Sequence, residues 1–221
     1  MSIHETIDIT ATASNNLMYT RQQTGWQGWA KAILDRSAAV CGLAVLSPLL
    51  LGSAVAIKLD SKGPIFFRQP RHGFRGEVFH VWKFRTMTVM ETGSDFRQAS
   101  KDDARITRLG RFLRRTSIDE LPQLFNVLSG DMSLVGPRPH PVKLNEQFAP
   151  LVRNYRQRHA VKPGLTGLAQ IRGYRGPTDT TRKMTLRVES DLEYIRNWSI
   201  WLDTRILLAT PLHLLTGKNA H

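Results

Sequence analysis

From Ser37 to Ile57 the chain reads SAAVCGLAVLSPLLLGSAVAI, a run without a single charge. As a straight helix it would be about 30 Å long, enough to cross a bilayer once. Two features point to another path. Ser47-Pro48 lies at its middle, where proline removes a backbone hydrogen bond and kinks or breaks a helix. Positive residues also flank both ends: Arg21, Lys31 and Arg36 before it, then Lys58, Lys62, Arg68, Arg71 and Arg75 after it. Positive flanks mark the cytoplasmic side. The pattern therefore predicts a re-entrant helix, broken at Ser47-Pro48, that enters and leaves through one face. A full span with a tolerated proline is the serious competitor. A cleaved leader ending at Ala54-Val55-Ala56 would start too far from Met1, and a buried soluble helix rarely runs this long without charge. Trp26 and Trp29 suit the headgroup level and an ordinary core equally well.

The remaining pattern divides the chain into a mobile tail (1–30), the membrane helix (31–60) and a domain outside the bilayer (61–221). The tail, to about Thr24, is polar without sustained periodicity. Between Pro64 and Met87, Ile65-Phe66-Phe67 and Val78 to Trp82 favour strands, and Arg71-His-Gly-Phe-Arg-Gly76 supplies turn glycines, so a β-hairpin is predicted. Glu91 to Asp103 reads as a loop. Ala104 to Arg115 is an amphipathic helix with Ile106, Leu109, Phe112 and Leu113 on one face and five arginines on the others. Leu121, Leu124, Phe125 and Leu128 continue as a buried stripe. Ile200 to Leu215 is apolar enough to lie in the interface as a second membrane contact. The fold class is α+β, mainly helical, with a small hairpin, on a monotopic membrane protein.

Composition adds a partner class. Thirty-one Lys and Arg against eighteen Asp and Glu give a net charge of +13. Such a surface suits nucleic acid, an acidic membrane or phosphorylated substrates. The single cysteine, Cys41, excludes an internal disulfide and a Cys-based zinc site, and reads as a small hydrophobe. No phosphate-binding Walker loop, zinc-protease motif or dinucleotide fingerprint occurs.

Candidate chemistry centres on adjacent carboxylates, Asp119 and Glu120, placed just after the arginine helix. Ser117-Ile-Asp-Glu120 is also a plain capping box. Pro122 weakens that reading, because it falls beyond the first turn of a helix capped by Ser117 but inside the first turn of one starting at Asp119. In the second case the helix dipole would favour ionised Asp119. Gly136-Pro-Arg-Pro139 holds Arg138 between two fixed φ angles, as a phosphate clamp. Pro163-Gly-Leu-Thr-Gly167 offers a glycine-lined turn that backbone amides could bring close to a ligand. Arg115, Lys83 and Arg85 are further candidates for phosphate, with strand-end or surface charges as their bland alternative.

The blocks KFRTM (Lys83 to Met87), SIDELPQLFNVLSGDMSLVGPRP (Ser117 to Pro139) and KPGLTGLAQIRGYRG (Lys162 to Gly176) together resemble the bacterial sugar transferases, the monotopic phosphoglycosyl transferases that act on a polyprenyl carrier. The resemblance runs from about Lys31 to about Thr210 and implies a re-entrant helix with a Ser-Pro break. It also implies that Asp119 attacks the sugar-bearing phosphorus of a UDP-sugar, forms a covalent phosphosugar intermediate and releases UMP. Glu120 would bind Mg²⁺, the cofactor, and undecaprenyl phosphate would take the sugar-1-phosphate in a second step. Arg138 would serve the substrate phosphates, while Thr166, Gln170, Arg175 and Asp191 would line the pocket. Such a protein would begin exopolysaccharide synthesis at the cytoplasmic face of the bacterial inner membrane, in contact with its lipids; a homo-oligomer stays open, as does the sugar. A membrane-tethered nucleic-acid-binding protein lacks any reading motif and leaves the acid pair idle. Intact Asp119 and Glu120 count against a non-catalytic scaffold of a polysaccharide assembly complex.

Overall fold

The computed structural model describes residues 25–88, 103–176 and 180–215. The tail up to residue 24 and nearly all of the polar stretch 91–103 lie outside them. The longest element is helix α1, Trp26–Asp60. Lys31, Ala39, Ser53 and Ile57 are buried on it, and Leu43, Leu46, Leu50 and Ala54 pack against the cores. These positions recur every three or four residues, so one narrow face of α1 lies along the domain over its whole length. The other faces leave Ile33, Val40, Val45, Leu51, Val55 and Leu59 exposed. Only 11% of its most apolar stretch is buried against the rest of the protein, which suits a lipid environment rather than a soluble core.

The expected break at Ser47-Pro48 is absent as an interruption: α1 is one continuous helix with Pro48 inside it. Proline has no N–H to give the Ala44 carbonyl four residues back. The Ser47 hydroxyl donates to that carbonyl instead, at 2.8 Å. A backbone acceptor orphaned by proline thus keeps a partner. Both ends of α1 are fastened to the domain. Near its start Lys31 Nζ lies 2.6 Å from Asp203 Oδ2, and at its end the Arg85 guanidinium donates to the carbonyls of Ile57, Ser61 and Lys62.

Strands β1 (Phe66–His72) and β2 (Val78–Phe84) form the predicted antiparallel hairpin, with Phe66 opposite Phe84 and His72 opposite Val78. Asn126 binds the hairpin to the helices: its Oδ1 accepts the Trp82 N–H at 2.9 Å and its Nδ2 donates to the His80 carbonyl at 2.8 Å. Helix α2 spans Arg108–Thr116, starting later than Ala104 because Thr107 is its N-cap and accepts the Gly110 N–H. Ile106 and Leu113 are buried, whereas Phe112 is exposed. Ser117 then takes a left-handed conformation (φ 60°), so it caps nothing with its side chain and the capping box does not form. The chain turns into a 3₁₀ segment, Ile118–Gln123, and helix α3, Leu124–Ser129. Leu124 is buried as expected, but Phe125 faces outward.

A second sheet, unforeseen in the sequence, pairs β3 (Ser133–Val135) in parallel with β4 (Gly164–Thr166). Backbones cross closely there, and a Cβ on Gly164 would lie 2.1 Å from the Gly136 nitrogen. The glycine of the Pro-Gly-Leu-Thr-Gly block therefore serves packing against the Gly-Pro-Arg-Pro loop rather than close approach to a ligand. Short helices α4 (Val142–Phe148) and α5 (Leu168–Ile171) lead to α6 (Thr181–Arg196) and α7 (Ile200–Leu215). On α7, Asp203 and Ile206 are buried while Trp201, Leu208 and Leu212 are exposed, a second apolar face beside that of α1. Tyr194, Met184, Val188 and Ile206 fill the main core with Met132, Val135 and Tyr155.

Candidate active site

The left-handed turn at Ser117 delivers Asp119 and Glu120 to the inner side of the 3₁₀ segment, against β2, and both are more than nine-tenths buried. Glu120 sits among three cations. Lys83 Nζ is 2.9 Å from its Oε1; Arg138 Nη1 and Arg175 Nη2 are 3.0 and 3.1 Å from its Oε2; Arg138 Nη2 also donates to Oε1. Burial alone would raise its pKa, but the charges of Arg138, Lys83 and Arg175 outweigh burial and hold Glu120 well below the ordinary carboxylate value. Asp119 differs. Among the described residues its carboxylate has no hydrogen-bond or ion-pair partner. Burial pushes its pKa up to about 6, with Glu120 adding to the rise and Lys83, Arg114 and Arg175 opposing it. The helix-dipole expectation of a favoured ionised Asp119 is thus overturned: the 3₁₀ segment is short, and desolvation dominates.

A buried second layer holds the cations. The Arg138 carbonyl accepts Arg158 Nη2 at 2.8 Å, and the adjoining Pro139 carbonyl accepts Arg71 Nη1 at 2.8 Å. Arg158 is in turn paired with Asp191, 3.1 Å from Nε and 2.5 Å from Nη2 to the same oxygen. Arg187, one turn earlier on α6, donates to the carbonyls of Tyr174 and Gly176 on either side of Arg175. His140 lies between Arg158 and Arg187, and burial together with these arginines keeps it neutral, far below its usual pKa. One face of α6 therefore fixes the backbone under two of the three cations that hold Glu120.

Of the residues singled out in the sequence, Asp119, Glu120, Lys83, Arg138 and Arg175 come together. The others do not line the same space. Asp191 stands behind Arg138 as the partner of Arg158. Arg85 stands one residue past the end of β2, free of the strand's alternation, and closes the end of α1 by donating to the carbonyls of Ile57, Ser61 and Lys62. Arg115 is exposed on α2, and the arginine of that helix whose charge reaches Asp119 is Arg114. Thr166 shares a 2.8 Å hydrogen bond with Thr210 of α7, and Gln170 donates to the Leu165 carbonyl. Arg71, Arg158 and Arg187 were missed. They carry little local signal, since Arg158 and Arg187 stand among other basic and polar residues and Arg71 sits at the hairpin turn.

Among the described residues no group of three or more His, Cys, Asp or Glu is close enough to hold a metal ion. Mg²⁺ does not need one, since it commonly takes one or two carboxylates, substrate phosphates and water. Adjacent carboxylates, one of them without a partner, fit that habit. Glu120 would coordinate only by exchanging one of its cations, which a diphosphate would draw away.

This geometry meets close relatives. The bacterial sugar transferase family matches residues 26–217, and the chain belongs to that family. It is 56% identical over 179 residues to the UDP-glucose:undecaprenyl-phosphate glucose-1-phosphate transferase of Klebsiella pneumoniae, covering 81% of this chain and 38% of that protein. A protein of the same name from Xanthomonas campestris pv. campestris is 52% identical, over 87% of this chain and 40% of its own. The chain thus spans about two fifths of the length of these relatives. The exopolysaccharide production protein of Rhizobium leguminosarum bv. phaseoli is 49% identical over 85% of this chain and 96% of its own length.

Proposed function

We propose that the protein transfers a sugar-1-phosphate from a UDP-sugar to undecaprenyl phosphate, as the first membrane step of exopolysaccharide synthesis. The observation that carries this reading is the contrast within the dyad: an Asp119 without a hydrogen-bond or ion-pair partner among the described residues, beside a Glu120 held by Lys83, Arg138 and Arg175. An Asp119 oxygen attacks the sugar-bearing phosphorus, the bond from that phosphorus to the bridging oxygen breaks, and UMP leaves with the electron pair. An oxygen of undecaprenyl phosphate then attacks the same phosphorus and releases Asp119, giving the sugar diphosphate lipid. Arg138 and Arg175 exchange Glu120 for the diphosphate oxygens and stabilise the charge that gathers there. Mg²⁺, when held by Glu120 and the phosphates, would supply further positive charge to the diphosphate. UDP-glucose is the first candidate donor, because two of the relatives are named for it.

The site lies at the cytoplasmic face of the inner membrane, with α1 entering from that side only. Contact with the domain along the whole of α1 supports this, since a helix fastened at both ends cannot cross alone. Purified protein with undecaprenyl phosphate, Mg²⁺ and a panel of UDP-sugars should release UMP with one of them. A brief reaction without lipid acceptor should leave a phosphosugar adduct on the Asp119 peptide, seen by mass spectrometry; its absence with normal turnover would sink the covalent route. In intact cells, cysteines placed before residue 30 and after residue 60, with Cys41 replaced, should both resist an impermeant thiol reagent added outside. Labelling of the first one would mean that α1 spans.

A further inference from the structure

A cavity of about 210 Å³ opens between the start of α1 and the end of α3, lined by Trp29, Lys31, Arg36, Gly130 and Lys162 among others. None of the cations that hold Glu120 borders it. Lys31 is already engaged by Asp203 and Asp35, at 2.6 and 3.4 Å. Arg36 and Lys162 are not: among the described residues neither has a hydrogen bond or an ion pair. Their heads nevertheless converge. A Cβ built on Gly130 would sit 2.9 Å from Arg36 Nη2 and 3.5 Å from Lys162 Nζ. Gly130 ends α3 at φ 87°, and its bare Cα leaves the room in which the two cations meet. Lys162 is half-buried, and burial and the nearby Arg36 charge lower its pKa against the opposing carboxylates of Asp35 and Asp131. Asp35, which also lines the recess, is taken up by the Ser133 hydroxyl at 2.7 Å and by Lys31. Two like charges held together in a partly desolvated recess favour an anion between them.

The surroundings specify the kind of anion. Trp26 and Trp29 are each 73% exposed at this end of α1, beside its long apolar face. A recess of this size takes a phosphate group with part of a glycerol and is small for a nucleoside diphosphate. We propose that Arg36 and Lys162 grip the headgroup phosphate of an anionic membrane phospholipid, whose acyl chains run beside the exposed face of α1. The site is separate from the dyad and rests on the reading of α1 as a membrane helix.

Native mass spectrometry of the full chain, released from detergent micelles containing phosphatidylglycerol, reads this directly and needs no nucleotide sugar. UMP release by the same preparation tests the transferase reading independently. The unmodified protein should retain one phosphatidylglycerol, and R36Q/K162Q should retain it at least about tenfold less. R153Q/R156Q, matched in charge but on exposed positions away from the cavity, should match the unmodified protein. Lys162→Glu should lose the lipid while raising Tm, because it gives Arg36 a partner within the protein, and so separates loss of the site from loss of the fold. Equal loss in both charge-matched variants would reduce the effect to net charge and overturn the proposal. Displacement of phosphatidylglycerol by equimolar undecaprenyl phosphate would assign the recess to the acceptor lipid instead, and retention of inorganic phosphate without lipid would likewise overturn it.

Discussion

Two carboxylates in this protein are surrounded by arginines, and they sit in different worlds. Asp191 and Arg158 have side chains only 2% exposed, and the remaining donors of Arg158 end on a backbone carbonyl and His140. Around Glu120 the cations Lys83, Arg138 and Arg175 stay 18–20% exposed, so they can exchange the carboxylate for something that arrives from outside. The rear pair is a fixed joint and the front group is a set of movable contacts. Burial decides which is which, since a sealed ion pair has no water to fall back on when one partner is lost.

The largest effect should come from the group that neither set of arginines holds. Asp119→Asn should lower turnover by about 10⁴-fold or more, because an amide is no nucleophile at phosphorus. The same change should raise stability. The pKa of Asp119 is raised in the fold, so the folded state binds its proton more tightly, and the stability this contributes at low pH is lost as pH rises from 3.8 through about 6. At neutral pH the ionised group therefore works against the fold, and the asparagine should relieve on the order of 1–3 kcal/mol, read as a higher Tm. A lower Tm would mean that the surrounding cations stabilise Asp119 after all.

Next comes the rear joint. Asp191→Ala should destabilise the protein by about 3–5 kcal/mol in denaturant titrations, leaving the Arg158 charge buried and alone. Glu120→Gln should be nearly as damaging to turnover as loss of Asp119, yet cost only about 1–2 kcal/mol of stability, because its cations can turn to water. Equal losses of stability for the two would erase the distinction between joint and movable contact.

A smaller effect is read from pH. With Asp119 needed ionised and its pKa near 6, kcat/KM should rise about tenfold per pH unit up to that value and level off above it. A profile flat between pH 5 and 8 would show that ionisation of Asp119 does not limit attack. The smallest effect should come from the membrane helix. Ser47→Ala should destabilise by about 1 kcal/mol, by stripping the Ala44 carbonyl of its donor, and do almost nothing in a Pro48→Ala background, where the backbone N–H returns.

The sequence shows the front of the site far better than the rear. Asp119, Glu120, Lys83, Arg138 and Arg175 lie in blocks whose residue types already suggest phosphate chemistry, and the hairpin is legible from its alternation and turn glycines. Arg158, Arg187 and Arg71 act through carbonyls distant in the chain, a relation that local pattern does not carry. The three-residue strands β3 and β4 are too short to show a period of two. Arg85 was misplaced because its block puts it two residues from Lys83, which on a continuing strand would share its face, whereas β2 ends at Phe84 and Arg85 turns to the end of α1. At Pro48 the proline signals a break, and the neighbouring serine supplies what the proline removes.

The clamps at the two ends of α1, Lys31 on Asp203 and Arg85 on the carbonyls of Ile57, Ser61 and Lys62, have a consequence for how a reaction there would be supplied. They make the helix a strut, and a strut lying at a surface sets the height of everything bolted to it. Asp119 would then work at one fixed altitude above the lipid, so a tethered phosphate need only wander sideways to find it. Search in a plane replaces search in a volume, and a scarce lipid behaves as though it were abundant.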